Sequence, residues 1–275
     1  MTTSADPAAS DRSISAVAAR PAATIMLLRD GAAGLEVFMT VRHHAIEFAS
    51  GALVFPGGRV EDSDHAIAER EGLPRGRFAP GFFIAGIRET FEECGILLAR
   101  PRGSDGLVRA DRVAPIAAAF KQRVADDHAA FADLLAAEDL APAADLLVPF
   151  AHWITPKNQR KRFDTVFFLA AAPADQAGSH DGAEAVDSVW INPAEAIAAS
   201  QAGRYKMLFP TQMNLLKLGR HATAAAAMAR AREAPLVTVE PELLSSRDGI
   251  RQLRIPEAAD YGGSVFTVDL PPGIV

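Results

Sequence analysis

One cysteine, Cys94, stands in 275 residues, which excludes an internal disulfide and fits a reducing compartment. Positive charge is not in excess either: 28 Lys and Arg stand against 34 Asp and Glu, a formal net charge of −6. The chain therefore has no overall basic field to draw in nucleic acid, although a small basic pocket still fits on an acidic protein. No uncharged apolar run has the length needed to cross a bilayer, so no membrane partner is expected. The first twenty residues contain Asp6 and Asp11 and no continuous apolar core, unlike a secretory leader. The terminal Pro271-Pro272-Gly273-Ile274-Val275 carries no Ser-Lys-Leu address. Internal repeats are missing too. With an alanine-rich composition, these absences lead to the expectation of a soluble protein of a bacterial cytoplasm.

What is present is an ordinary globular composition, 49% apolar and 23% charged. Residues 1–20 are small, polar and aperiodic, and read as a flexible lead-in. Apolar runs at Ala22–Leu28 and Leu35–Val41, separated by Arg29-Asp30-Gly31, predict a hairpin turning at the Asp-Gly pair. A short strand at Ala52–Phe55 stops at Pro56-Gly57-Gly58, and a polar stretch from Asp62 to Gly81 holds a short helix. Residues 82–94 are helical, with Ile84, Ile87, Phe91 and Cys94 on one face and Gly95 closing the helix. One or two alanine-rich helices are expected over 113–140, with Pro142 and Pro149 marking the exit. Strands follow at Val166–Ala170 and Val186–Ile191, then a helix opened by Asn192-Pro193 and a last long helix over Gln212–Ala231. The fold class expected is α/β (α+β), a mixed sheet sandwiched between helices, with helical insertions at about 62–82 and 101–145. The domain spans 21–232, and 233–275 form an extension of short strands and turns packed on it.

On the 82–94 helix, Glu89, Glu92 and Glu93 are spaced i, i+3, i+4, so their carboxylates gather on the side opposite the apolar stripe. Three like charges so close repel, and a divalent cation reverses the sign of that interaction. Such a triad is otherwise a solvated acidic face. The paired glycines Gly57-Gly58 either form a simple loop or let backbone approach a ligand with no side chain in the way.

Together these pieces resemble the Nudix box, G-x5-E-x7-R-E-U-x-E-E-x-G-U, where U is a bulky apolar residue. Arg88 to Ile96 matches its second half, with Thr90 at an apolar position, and Gly58 matches its first glycine. The acid five residues beyond Gly58 is Asp64, with Glu61 as competitor, and residues 65–87 fill a gap that the box makes seven residues long. Such an excursion costs little loop-closure entropy. The interrupted box is similar to the peroxisomal coenzyme A diphosphatases of the Nudix motif 19 type. Further landmarks of that subgroup are His152-Trp153-Ile154-Thr155-Pro156, Arg162-Phe163-Asp164-Thr165, Glu184 six residues before Trp190, and Phe209-Pro210-Thr211. The similarity covers about residues 22–220.

The resemblance implies a Nudix hydrolase fold and metal-dependent cleavage of a nucleoside-diphosphate-X compound, coenzyme A or its esters first. It assigns Mg²⁺ or Mn²⁺ to Glu89, Glu92 and Glu93, with the Gly57 carbonyl as an extra ligand. Glu89 or Glu184 accepts the proton of the attacking water, with Glu93 and Arg88 in the same catalytic group. Arg88 orients carboxylates or the glycine loop through a forked ion pair, or else contacts phosphate. Arg42, His43 and Gly58 are expected at the substrate, Arg42 because Thr40, Arg42, Gly51 and Phe55-Pro56-Gly57-Gly58 keep the spacing of a coenzyme A motif. His43 and Glu47 depart from that motif. Trp153 either stacks on a base or fills the core, and Arg162, with Lys157, Arg160 and Lys161, either holds an anionic end or lies in a solvated loop. Other dinucleotides or nucleotide sugars, such as NADH and ADP-ribose, and a non-catalytic nucleotide-binding Nudix module are the alternatives. The family often dimerises, which makes a homodimer the expected assembly; nucleic acid is not an expected partner.

Overall fold

The computed structural model describes residues 17–42, 51–178, 185–247 and 249–269. Strand β1 (Arg20–Gly31) is apolar from Ala22 to Leu28 apart from Thr24, the stretch over which both of its faces are covered. Ala23, Ile25 and Leu27 enter one core while Met26 and Leu28 enter another, the period-2 alternation of a central strand. Strand β2 (Gly34–Arg42) returns antiparallel to it, with Leu28 opposite Val37 and Gly31 opposite Gly34. The turn is Ala32–Ala33, two residues beyond the expected Asp-Gly pair. Asp30 stays in the strand, where its carboxylate accepts the Ala224 N–H at 2.7 Å, and Gly34 supplies the positive φ (113°).

Strands β3 (Leu53–Val54) and β4 (Gly57–Arg59) lead into helices α1 (Asp62–Arg70) and α2 (Gly81–Cys94). The expected stripe Ile84, Ile87, Phe91 and Cys94 is buried, and Gly95 ends α2 in the left-handed conformation. Strands β5 (Ala99–Pro101) and β6 (Leu140–Pro142) pair antiparallel and close the base of an excursion that holds two helices, α3 (Ala110–Asp126) and α4 (Ala130–Ala137). Strands β7 (Val148–Ile154), β8 (Phe163–Ala171) and β9 (Ala185–Ile191) complete most of the main sheet. Helix α5 (Pro193–Gln201) follows, with the Asn192 side chain accepting the Ala194 N–H at its start.

The single long helix expected over 212–231 is two, α6 (Phe209–Leu218) and α7 (Ala224–Glu233). Gly219 ends the first, and the second has its own N-terminus, where the Thr223 hydroxyl accepts the Ala226 N–H and Asp30 accepts that of Ala224. Strand β10 (Thr238–Val239) joins the main sheet beside β7, and β11 (Glu242–Arg247), β12 (Ile250–Arg254) and β13 (Val265–Asp269) form a separate antiparallel sheet. The main sheet runs β10-β7-β8-β1-β2-β3, with β4 on β1 and β9 on β2. Helices α2 to α4 cover one face; α5 to α7 and the C-terminal sheet cover the other. This is the mixed α/β sandwich expected. Among the described residues no helix is long and apolar enough to cross a membrane.

Tyr261 ties the C-terminal segment to the domain. Its hydroxyl accepts the Trp153 indole N–H at 3.0 Å and donates to Asn214 Oδ1 at 2.8 Å, all three side chains being buried. Tyr261→Phe leaves two buried polar groups unpaired and is expected to cost about 1–3 kcal/mol in urea denaturation; an unchanged midpoint would deny the bridge any role in stability.

Candidate active site

One edge of β1 is divided. Its first residues pair with β4, from Ala22 opposite Arg59 to Thr24 opposite Gly57, and its last residues pair with β2. The division seats the glycine turn against the middle of the sheet, where the Ile25 N–H bonds to the Pro56 carbonyl at 2.9 Å. Helix α2 passes directly over it. A Cβ on Gly58 would lie 2.5 Å from a Glu89 carboxylate oxygen, and one on Gly57 would collide with the backbone of Ala23 and Thr24. Both glycines are therefore required by close approach. The Gly57 N–H points at Glu93 Oε2, 3.4 Å away.

Arg88 lies on the same helix and is completely buried. Its Nε and Nη2 fork onto the two oxygens of Asp64, each at 2.9 Å; Asp64 is also inaccessible to solvent. Nη1 donates to Glu89 Oε1 and Glu92 Oε1, each at 2.8 Å, and Nη2 donates to the Arg59 carbonyl at 2.8 Å. The acid that answers Arg88 is thus Asp64. Glu61 pairs instead with Arg59 at 2.9 Å, while its N–H donates to Asp64 Oδ2 at 2.9 Å. Full burial leaves Arg88 no surface for a phosphate, so of its two expected roles only the orienting one fits.

The glutamates are not a solvated face: Glu89, Glu92 and Glu93 are 9%, 8% and 9% exposed. Asp64, Glu89 and Glu92 set three carboxylates around the one guanidinium of Arg88, Glu93 adds a fourth against Gly57, and the surplus negative charge is trapped at low dielectric. Burial pushes Glu89 up to about 7, against the pull of Arg88 and with the help of the Glu92 charge. Glu92 is raised by burial as well, against Arg88 and His128. Burial works to lower the Arg88 pKa, but the Asp64 hydrogen bonds and the charges of Glu89, Asp64 and Glu92 outweigh it. A hard divalent cation fits this donor set, because oxygen ligands of surplus negative charge are what it stabilises. Among the described residues no three acidic, His or Cys side chains are grouped so as to hold a metal ion by themselves. Mg²⁺ needs no such group, since it commonly takes one or two carboxylates and completes its shell with water and phosphate.

The glutamates line a cleft of about 940 Å³. Gly57, Gly58, Arg42 and Trp153 line it too, and Trp153 is both cleft wall and core, packed edge-on to Phe209. Phe55, Phe163 and Phe167 add apolar rings to the lining. Arg162 is not brought to the cleft. Its guanidinium is used up by the carbonyls of Thr155 and Val17 and by Glu240 Oε1 at 2.9, 2.7 and 3.0 Å, a clamp between the β7–β8 connection and two distant segments. His43 and Glu184 lie outside the described residues. Two cleft residues went unrecognised in the sequence. His128, after α3, stands 3.3 Å from both Glu92 Oε1 and Arg88 Nη1, and Lys121 projects from α3 itself. Neither belongs to a motif, and His128 lies beyond the extended Asp127 that ends α3, so no local pattern joins them.

Residues 69–218 match the family described as the NUDT19 Nudix domain. The acyl-coenzyme A diphosphatase NUDT19 of Gallus gallus is 28% identical over 85% of this chain and 76% of its own length. The Homo sapiens protein of that name is 30% identical over 60% of this chain and 55% of its own length. The crystal structure of a NUDIX hydrolase from Alicyclobacillus acidocaldarius, 29% identical, superimposes with a TM-score of 0.65 over 77% of this chain and 96% of that one. The chain spans little more than half the length of most curated relatives it matches, between 54% and 76%.

Two outcomes follow from the charge cluster. Asp64→Asn breaks the buried fork and is expected to cost about 3–5 kcal/mol in chemical denaturation; a loss below 1 kcal/mol means that the pair does not anchor the site. For Glu89 the sign is opposite to that of a salt-bridged acid. Between the ordinary value of 4.5 and about 7 the folded protein holds a proton that the unfolded chain has released. Stability of the metal-free protein should therefore fall as pH rises through that window, by on the order of 3 kcal/mol from this group. In Glu89→Gln this part of the slope disappears, and equal slopes for the two proteins in EDTA would contradict the assignment.

Proposed function

Because the chain belongs to the NUDT19-type Nudix domain family, we propose that it hydrolyses the diphosphate linkage of a nucleoside-diphosphate derivative, coenzyme A or acyl-coenzyme A first among them. The names of the avian and human relatives support the choice of substrate. The single observation that carries the activity is the set of Glu89, Glu92 and Glu93 held by the Gly57-Gly58 turn on the lining of a large cleft. Those carboxylates, with the Gly57 carbonyl, would hold Mg²⁺ or Mn²⁺. A bound ion supplies charge neutralisation at the diphosphate and a water of lowered pKa.

The chain's own residues do the rest. Arg88 touches no substrate; it positions Glu89 and Glu92 by holding one oxygen of each and leaving the other free for the cleft. Water oxygen bonds to phosphorus as the bridging P–O bond breaks, which yields a nucleotide and a phosphorylated second product. The water proton passes to a carboxylate, Glu89 in the cleft or Glu184. Arg42 lines the wall where a phosphate would meet a cation, and Trp153 offers its ring, because its N–H is already held by Tyr261. A module that only binds nucleotides has no need of three buried glutamates whose mutual repulsion must be supported, and this disfavours the non-catalytic alternative.

The decisive experiment is a turnover screen of coenzyme A, acyl-coenzyme A, NADH, ADP-ribose and diadenosine compounds with Mg²⁺ and with Mn²⁺. Hydrolysis that needs the ion is expected, with coenzyme A derivatives preferred. Glu93→Gln should lose at least about a hundredfold in kcat/KM. Undiminished turnover in that variant, or none by the native protein across the panel, would remove the proposed activity from this site.

A further inference from the structure

Helix α3 has two working faces. Val113, Ile116, Phe120 and Val124 recur at helical spacing and are buried in the core shared with α2. Ala117, Ala118, Lys121 and Ala125 recur on another face, and all four line the cleft. His128 lies in the turn just after α3, also lines the cleft, and stands 3.3 Å from Glu92 Oε1, which brings the end of the helix close to the carboxylates. Alanines keep this wall low. Lys121 is the one cation that α3 presents to the cleft among the described residues.

A charge inventory of the cleft shows why that matters. Its acids are engaged: Glu61 by Arg59, Glu89 and Glu92 by Arg88, and Glu93 beside the Gly57 amide. Arg20, Arg42 and Lys121 also line the cleft, and none has an acidic partner among the described residues. The Arg42 Nε is buried and has no hydrogen bond there, a donor left open at a free-energy cost. In the proposed activity the diphosphate sits by the glutamates, with the cation that they would hold. Three cations on the cleft lining with no acidic partner among the described residues suit a second anionic group on the same molecule.

We infer that Lys121, carried on the α3 insertion, is a specificity-determining residue that binds a phosphate monoester of the substrate outside the diphosphate. The inference rests on the diphosphatase reading of the same cleft. Two measurements separate it from that reading. Calorimetry with adenosine 3′,5′-bisphosphate and with adenosine 5′-monophosphate needs no turnover; the bisphosphate should bind on the order of tenfold more tightly to the native protein. Lys121→Met should bring the two affinities together, Lys121→Arg should restore much of the difference, and Arg109→Met, exposed at the start of α3 and off the cleft, should leave it intact. Steady-state kinetics with coenzyme A and with its form lacking the ribose 3′-phosphate should show the same preference in KM, again levelled in Lys121→Met. A native preference near one, or a preference that survives Lys121→Met, overturns the inference even if hydrolysis is found. Absence of hydrolysis with an intact bisphosphate preference sinks the activity and leaves the role of Lys121 standing.

Discussion

A guanidinium with no solvent contact must find all of its partners inside the protein, and Arg88 finds them on three segments. Asp64 comes from the start of α1, the Arg59 carbonyl from the end of β4, and Glu89 and Glu92 from α2 itself. Removing any one of these partners leaves charge or donors unpaired at low dielectric, where the cost is several kcal/mol. The interaction therefore does what a short sequence spacing does in an uninterrupted motif. Residues 65–87 separate the first acid from its arginine along the chain, yet α1 doubles back onto α2, with Ile67 and Ala68 buried between them, and returns Asp64 to the arginine. The excursion is tolerated because both of its ends are fixed by the same ion pair.

The same arrangement explains the unusual state of the glutamates. One positive charge cannot balance four carboxylates, and Glu89, whose pKa burial raises, lies against Gly58 of the glycine turn. A fold that sought only stability would have replaced such a cluster by apolar side chains. Its persistence makes sense when charge of the opposite sign arrives from outside, and a cleft of this size is where such a ligand enters.

Much of the fold was legible in the sequence because the decisive patterns are local. The apolar run in β1, the stripe Ile84, Ile87, Phe91 and Cys94, the Asn192-Pro193 start of α5 and the carboxylate triad each fit within one element. What was misplaced depends on partners far along the chain. Asp30 stays out of the turn because it is needed at the N-terminus of α7, and that bond helps divide the expected long helix in two. Arg162 looked like a member of a basic cluster, but Val17 and Glu240 occupy it. No pattern within residues 155–165 carries that information. His128 sits in a loop with no motif, and its neighbour Glu92 is brought near only by the packing of α3 on α2.

The elements added to the central sandwich are also the ones that shape the cleft. The α3 insertion, closed at its base by β5 and β6, supplies part of the lining, and the C-terminal segment reaches the cleft through Tyr261, which holds the Trp153 indole. In the proposed activity helix α2 and the glycine turn address only the linkage that breaks, so they would serve any diphosphate. Discrimination between substrates must then come from the walls, where the groups that differ among nucleotide derivatives lie. Segments inserted around a shared charge cluster are free to change length and composition because Arg88 and Asp64 secure the centre without them. That division of labour, a centre fixed by buried electrostatics and walls built from insertions, lets one fold keep its chemistry while its choice of ligand shifts.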